Sequence, residues 1–208
     1  MSGLREQQKA RRRHVISASA IALFDSQGYQ ATTMEQIARA AGVSVPTVFA
    51  YFGSKQEILL EMLREADRQA FSDTRQLMEC SGDPVGVLVY LERRLIETAF
   101  ESLSPALWLE ILPLLVPSLG ENRSGLPEAY QNVNEVLILE LRQLLRDMQA
   151  SGSLRADLDL DYVAQLVNDY SHLLMWRMVR SETLDMEAHL EASRRFLTLL
   201  FEGMRAVD

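Results

Sequence analysis

Apolar residues recur along this chain at three- and four-residue intervals almost throughout, whereas the two-residue alternation of strands is nearly absent. The pattern predicts an all-α protein. A first helix runs from about Gln8 to Gln27 and stops at Gly28. Two short helices follow between Thr32 and Phe52, then a long one from about Lys55 to Glu79. Asp83-Pro84 opens the next, with Asp83 as cap and Pro84 at the first helical position, and it reaches about Glu101. Ser104-Pro105 repeats that start signal, and Pro113 and Pro117 limit the helix it begins. Residues Gly120 to Gly125 read as a polar loop. Helices over about Pro127–Ala150, Leu160–Arg180 and Met186–Arg205 bring the count to nine.

The densest signal lies between Thr32 and Lys55. Thr32 with Glu35, or Thr33 with Gln36, supplies a capping box for the first short helix, whose apolar face is Ile37, Ala38 and Ala41. Gly42 can take the left-handed conformation that ends it. Ser44 can cap the second, with Pro46 tolerated in its first turn. Val43, Val48 and Phe52 can then pack inward, leaving Val45, Pro46, Thr47, Phe49, Ala50 and Tyr51 outward. Ser54 and Glu57 form another capping box, which puts Lys55 in a first helical turn. The helix dipole disfavours a cation there, and a phosphate partner would remove the objection. Two short helices at this spacing are a helix-turn-helix, whose second helix can enter the DNA major groove.

Charge sharpens this reading. The chain of 208 residues carries a formal net charge of −8, which spread evenly would oppose nucleic acid. It is not spread evenly. Residues 1–55 hold seven Lys/Arg against three Asp/Glu, a net of +4, and the remainder holds fourteen against twenty-six, a net of −12. A basic module on an acidic body can offer one face to DNA while the body repels it. Cys80 stands alone and can form no intramolecular disulfide, which fits a reducing cytoplasm. Charges interrupt every apolar run near the amino terminus, so no secretion signal is visible, and Glu110, Pro113 and Pro117 break the apolar stretch Leu107–Leu119.

At these residues the chain resembles the TetR family of bacterial transcriptional regulators. The matching positions run from Ile16 through Ala20, Leu23-Phe24, Gly28-Tyr29, Thr32-Thr33, Ile37-Ala38, Ala41-Gly42-Val43-Ser44 and Thr47 to Tyr51-Phe52 and Lys55. The resemblance implies nine helices, a DNA-binding domain over 1–54 and an effector-binding, dimerising domain over 55–208. It also implies that Thr33, Thr47, Tyr51 and Lys55 face the DNA backbone. Ser44 has a hydroxyl suited to the same role. Val45, Pro46, Phe49 and Ala50 can reach base edges, where their natural partner is the thymine methyl. The family often has tyrosine where Phe49 stands. Arg39 is a polar candidate from the preceding helix, as is Glu35. Arg12, within the Lys9, Arg11, Arg12, Arg13 cluster, either embraces phosphates or enters the minor groove, unless the cluster is simply an exposed helix start.

The family's last two helices pair with their copies in a second subunit. Here those helices carry Val163, Leu166, Val167, Tyr170, Leu173 and Leu174, then Leu190, Phe196, Leu197, Leu200 and Met204, read as core plus homodimer seam. Tyr90, Trp108, Tyr130, Asn134, Asp169, His172 and Trp176 lie on helices that would enclose a mostly apolar small-molecule effector. Asp169, His172 and Trp176 share one helix face and either line the ligand site or sit elsewhere. Asp169 favours a cationic ligand and Arg177 an anionic one. Three separated histidines, a lone cysteine and no phosphate-binding glycine loop exclude an enzyme, a metal site and a cofactor. The expectation is a cytoplasmic repressor, released from a pseudo-palindromic double-stranded DNA operator by its effector, with no membrane role. The alternative is an effector-independent architectural DNA-binding protein.

Overall fold

A computed structural model describes residues 2–78, 83–115 and 126–202. Among them every regular element is a helix: α1 Ser2–Gln27, α2 Met34–Ala40, α3 Val45–Phe52, α4 Lys55–Met78, α5 Pro84–Ser102, α6 Pro105–Leu115, α7 Leu126–Ala150, α8 Leu160–Val179 and α9 Met186–Glu202. One bound differs from expectation: α1 begins at Ser2 rather than near Gln8. α6 continues past Pro113 to Leu115, between the two prolines expected to limit it. Cys80, Pro117, the Gly120–Gly125 segment, Met204 and Arg205 lie outside the described residues.

The chain packs as two compact units. The first joins residues 1–64 to residues 102–130, and the second joins residues 65–101 to residues 131–208. Packing therefore follows other lines than a division of roles at 54/55, since α6 belongs to the first unit and α4 contributes to both. In the first unit Ile16, Phe24, Ile37, Val48 and Ile58 are fully or almost fully buried, one or two from each of α1 to α4. Burial of such side chains is worth about 1.5–3 kcal/mol each.

The second unit is built on Ala70, Phe71, Val87, Leu88, Leu91, Leu144, Leu145, Val163, Leu190, Leu197 and Phe201. Val167, Phe196 and Leu200 pack against this core, and α8 lies along α9. Tyr170 stacks on Phe196 with ring centroids 4.0 Å apart. Most of the two stripes on α8 and α9 is thus intrachain core. Tyr162 and Leu199 are left largely exposed.

Candidate nucleic-acid interface

Local hydrogen bonds explain why α2 and α3 form where they do. Thr33 is the cap of α2: the Gln36 N–H donates to its Oγ1 over 3.3 Å, while its own N–H donates to Gln36 Oε1 over 2.8 Å. This decides between the two possible capping boxes, because Thr32 is buried and donates instead to the Gly28 carbonyl. At the other end Val43 N–H bonds to Ala38 O and Gly42 N–H to Arg39 O, a Schellman stop. That geometry places Gly42 at φ 65°, where a side chain would be strained. Ser44 then caps α3 by accepting from Thr47 N–H, and its hydroxyl meets the Thr47 hydroxyl at 2.8 Å. Pro46 is accommodated in that first turn.

The burial of α3 divides largely as its sequence suggests. Val48 and Phe52 are buried, Pro46, Phe49 and Ala50 are exposed, and Val45, Thr47 and Tyr51 are half-buried. Val43, expected inside, is half-buried. Phe49 is 47% exposed. Thr33, Glu35, Arg39 and Ser44 are exposed, as are Lys9, Arg11 and Arg12 on α1. The exposed surface of the first unit thus offers two hydroxyl-bearing caps, an apolar ridge on α3 and the cations Lys9, Arg11, Arg12 and Arg39.

Two cations expected at that face are spent within the fold. Arg13 pairs with Glu61, donates to the Tyr51 carbonyl at 3.0 Å and lies 4.5 Å above the Phe52 ring. Its hydrogen bond to Glu61 raises its affinity for the proton, against the opposing effect of burial. Lys55 is likewise engaged. Its ammonium donates to the carbonyls of Tyr29 at 2.7 Å, Thr32 at 2.8 Å and Gln30 at 3.3 Å, and sits 4.5 Å above the Tyr29 ring. Burial lowers its pKa, with the Glu110 carboxylate opposing the shift. An ammonium has three donors, and three carbonyls use them. In the DNA-free structure the first-turn position of Lys55 is thus made tolerable by the turn between α1 and α2. Of the Ser54–Glu57 capping box, the Glu57 N–H to Ser54 Oγ bond is present at 3.1 Å.

A model of bacterial regulatory proteins of the tetR family matches residues 16–62, the segment that carries this geometry. Over 53 residues the chain is 49% identical to the transcriptional regulator HbdR of Aromatoleum sp. strain CIB, covering 26% of this chain and 23% of that protein. It is 25% identical to the repressor KstR2 of Rhodococcus jostii over 203 residues, 94% of this chain and 92% of that one. Its fold superposes with a TM-score of 0.70 on the TetR-family repressor FadR of Thermus thermophilus, solved in complex with lauroyl-CoA. The two are 28% identical over 94% of this chain and 96% of FadR.

The chain belongs to the TetR family. It is a helix-turn-helix transcriptional regulator, and its relatives are regulators, not enzymes.

In this TetR-family chain the residues expected to hold an effector divide between the units. Trp108 and Tyr130 are buried in the first. Tyr90, Asn134, His172 and Trp176 are half-buried in the second, where Asp169 is exposed. Asp169 thus parts from the two residues with which it shares a helix face. His172 Nδ1 lies 2.8 Å from the Asn168 carbonyl, and the Arg180 guanidinium stands 5.1 Å from the centre of the Trp176 ring. Among the described residues no cluster of His, Cys, Asp and Glu could hold a metal, and no helix is long and apolar enough to cross a membrane.

Sequence reasoning passed over Glu110. Its carboxylate accepts the N–H groups of Tyr29 at 3.2 Å and Gln30 at 3.1 Å. The available signal was that Glu110 is the single charge in α6, an otherwise apolar helix. A lone carboxylate in such a setting needs a partner.

Proposed function

We propose that this TetR-family regulator is a repressor that binds a pseudo-palindromic operator as a homodimer and leaves it when a mostly apolar small molecule binds. The carrying observation is α3, capped by Ser44 and holding Pro46, Phe49 and Ala50 outward in the basic part of the chain. Thr33, Ser44, Thr47 and Tyr51 take phosphates, Arg12 and Arg39 add charge, and Val45, Pro46, Phe49 and Ala50 read thymine methyls. Lys55 serves the same surface by holding the turn that precedes α2.

The homodimer reading rests on α8 and α9, whose exposed Tyr162 and Leu199 would be covered by a second copy. The effector reading leans on FadR, which was solved with lauroyl-CoA. A fatty acyl thioester is accordingly the class to try first, with Tyr90, Asn134, His172 and Trp176 of the second unit as the residues to test. Release needs the ligand to prefer the DNA-free state, typically by about 1–3 kcal/mol per site.

The experiment is selection of a binding site from a random duplex pool, followed by fluorescence anisotropy with and without lauroyl-CoA. The expected result is one two-fold-related motif, weakened by uracil-for-thymine substitution at directly read positions and released by the thioester. A pool that yields no motif would sink the DNA-reading proposal. Operator affinity that no thioester changes leaves the effector-independent reading in its place.

A further inference from the structure

The turn from Gly28 to Thr32 is gripped from both chemical sides. Glu110 on α6 accepts the N–H groups of Tyr29 and Gln30, while Lys55 on α4 donates to the carbonyls of Tyr29, Gln30 and Thr32. Every bond involves a charged partner, the stronger kind. Gly28 makes the approach possible: it sits at φ 86°, and a Cβ there would come within 3.1 Å of Glu110 Oε2. α6 is tied to α1 at a second point, where Ser104 donates to Asp25 at 2.6 Å and also caps α6 by accepting from Leu107 N–H. Six residues further along, Glu110 reaches the turn. That turn delivers Thr33, the α2 cap on the exposed face.

We propose that Glu110 is a positioning residue for operator binding, holding the Tyr29–Thr32 turn so that Thr33 and α2 stand where DNA contact requires them. Glu110 itself touches no DNA. The inference rests on the DNA-reading proposal above and adds a residue from α6, which follows α5 in sequence and packs with the amino-terminal helices.

The sign of its effect separates this from ordinary electrostatics. Removing a negative charge from a DNA-binding unit reduces repulsion and should tighten binding to any duplex. Removing Glu110 should instead weaken it. Glutamine is nearly the same size, but its amide presents a donor to one of the two N–H groups, so one bond becomes a repulsive contact.

The test compares Glu110→Gln and Glu110→Ala with Glu6→Gln, an exposed acidic residue on α1. Each full-length variant is titrated with the selected operator across a salt series, below its own thermal unfolding midpoint. Amide hydrogen exchange is followed at Tyr29 and Gln30. The expected outcome for both Glu110 variants is affinity lower by about tenfold, the scale of one lost charge-assisted bond. Their salt slope should be unchanged, and exchange should be faster at those two amides. Glu6→Gln should bind as tightly as the parent or tighter. Glu110 variants that match Glu6→Gln overturn the proposal. So does weakened binding with unchanged exchange at Tyr29 and Gln30, since the loss would then come from elsewhere. If the parent selects no DNA motif, the functional reading fails instead, and unchanged exchange would still overturn the clamp.

Discussion

In the first unit several charged and hydroxyl side chains serve backbone groups at helix ends and in one turn. Thr33 and Ser44 cap helices, and Glu110 and Lys55 hold the N–H and C=O groups of residues 29 to 32. In the second unit polar side chains meet one another inside the core. Glu92, buried on α5, receives a hydrogen bond from Ser171 at 2.7 Å and lies 2.6 Å from Nε2 of buried His189. His189 Nδ1 and both amide atoms of buried Asn168 have no hydrogen-bond partner among the described residues. Asp67 on α4 is half-buried, and desolvation raises its pKa to about 7. Polar groups that satisfy backbone fix a cap or a turn locally, whereas polar groups buried together and incompletely paired cost stability.

The largest expected effect tests the cost of that buried cluster. Glu92→Ala leaves the hydrogen-bonding groups of Ser171 and His189 without their partner, at about 1–3 kcal/mol for each group so orphaned. Urea denaturation should show a loss of that size. Joint replacement of Glu92 and His189 by Leu should cost much less than the single change, because it removes both buried polar groups together. A double variant as unstable as the single one would mean that the pair stabilises the core outright.

Asp67 gives the next largest effect, and its sign follows from the raised pKa. Below about pH 4 the carboxyl is protonated both folded and unfolded, and the group carries no penalty. As pH rises toward 7 the unfolded chain ionises freely while the folded one resists, so stability falls through that window. Asp67→Asn should therefore stabilise the protein at pH 8 and leave it unchanged at pH 4. A carboxyl lifted from an ordinary value of 3.8 to about 7 sets a ceiling of about 4 kcal/mol. Partial solvent contact reduces this to about 1–3 kcal/mol. Thermal melts at the two pH values would show it. An equal gain at both would trace the effect to something other than ionisation.

The same contrast explains what could be read from the sequence. Helix caps join residues three apart, so the pairing of Thr33 with Gln36 and of Ser44 with Thr47 is written locally. The helices among the described residues follow from periodicity and from such caps, and the bound missed was the start of α1, extended to Ser2. Buried pairs are not written locally. Glu92 meets Ser171 and His189 across separations of 79 and 97 residues, and Glu110 meets Tyr29 across 81. Arg13 and Lys55 were legible as cations but not as spent ones, because their partners Glu61, Tyr29 and Thr32 come together only in three dimensions. Asp169, grouped with His172 and Trp176 by helical spacing, is exposed, since one helix face can cross from interior to solvent along its length.

Lys55 lies between the two behaviours and carries the smallest effect. It is a charged group turned inward, yet its partners are backbone carbonyls near solvent. Lys55→Ala frees the carbonyls of Tyr29, Gln30 and Thr32 to water, so the loss is partly repaid by hydration. We expect operator binding to weaken by about 1 kcal/mol, the net worth of an ordinary hydrogen bond. A phosphate contact would leave a second signature. Each neutralised phosphate contributes about 0.9 to the slope of log affinity against log salt concentration, so its loss would flatten that line by about one unit. Because the ammonium is engaged by the turn, the slope should stay as in the parent while the whole line shifts down. Anisotropy titrations across salt concentrations separate the two outcomes. A flatter slope would mean that Lys55 leaves its carbonyls for a phosphate when DNA arrives, and Glu110 would then hold the turn by itself in the bound state.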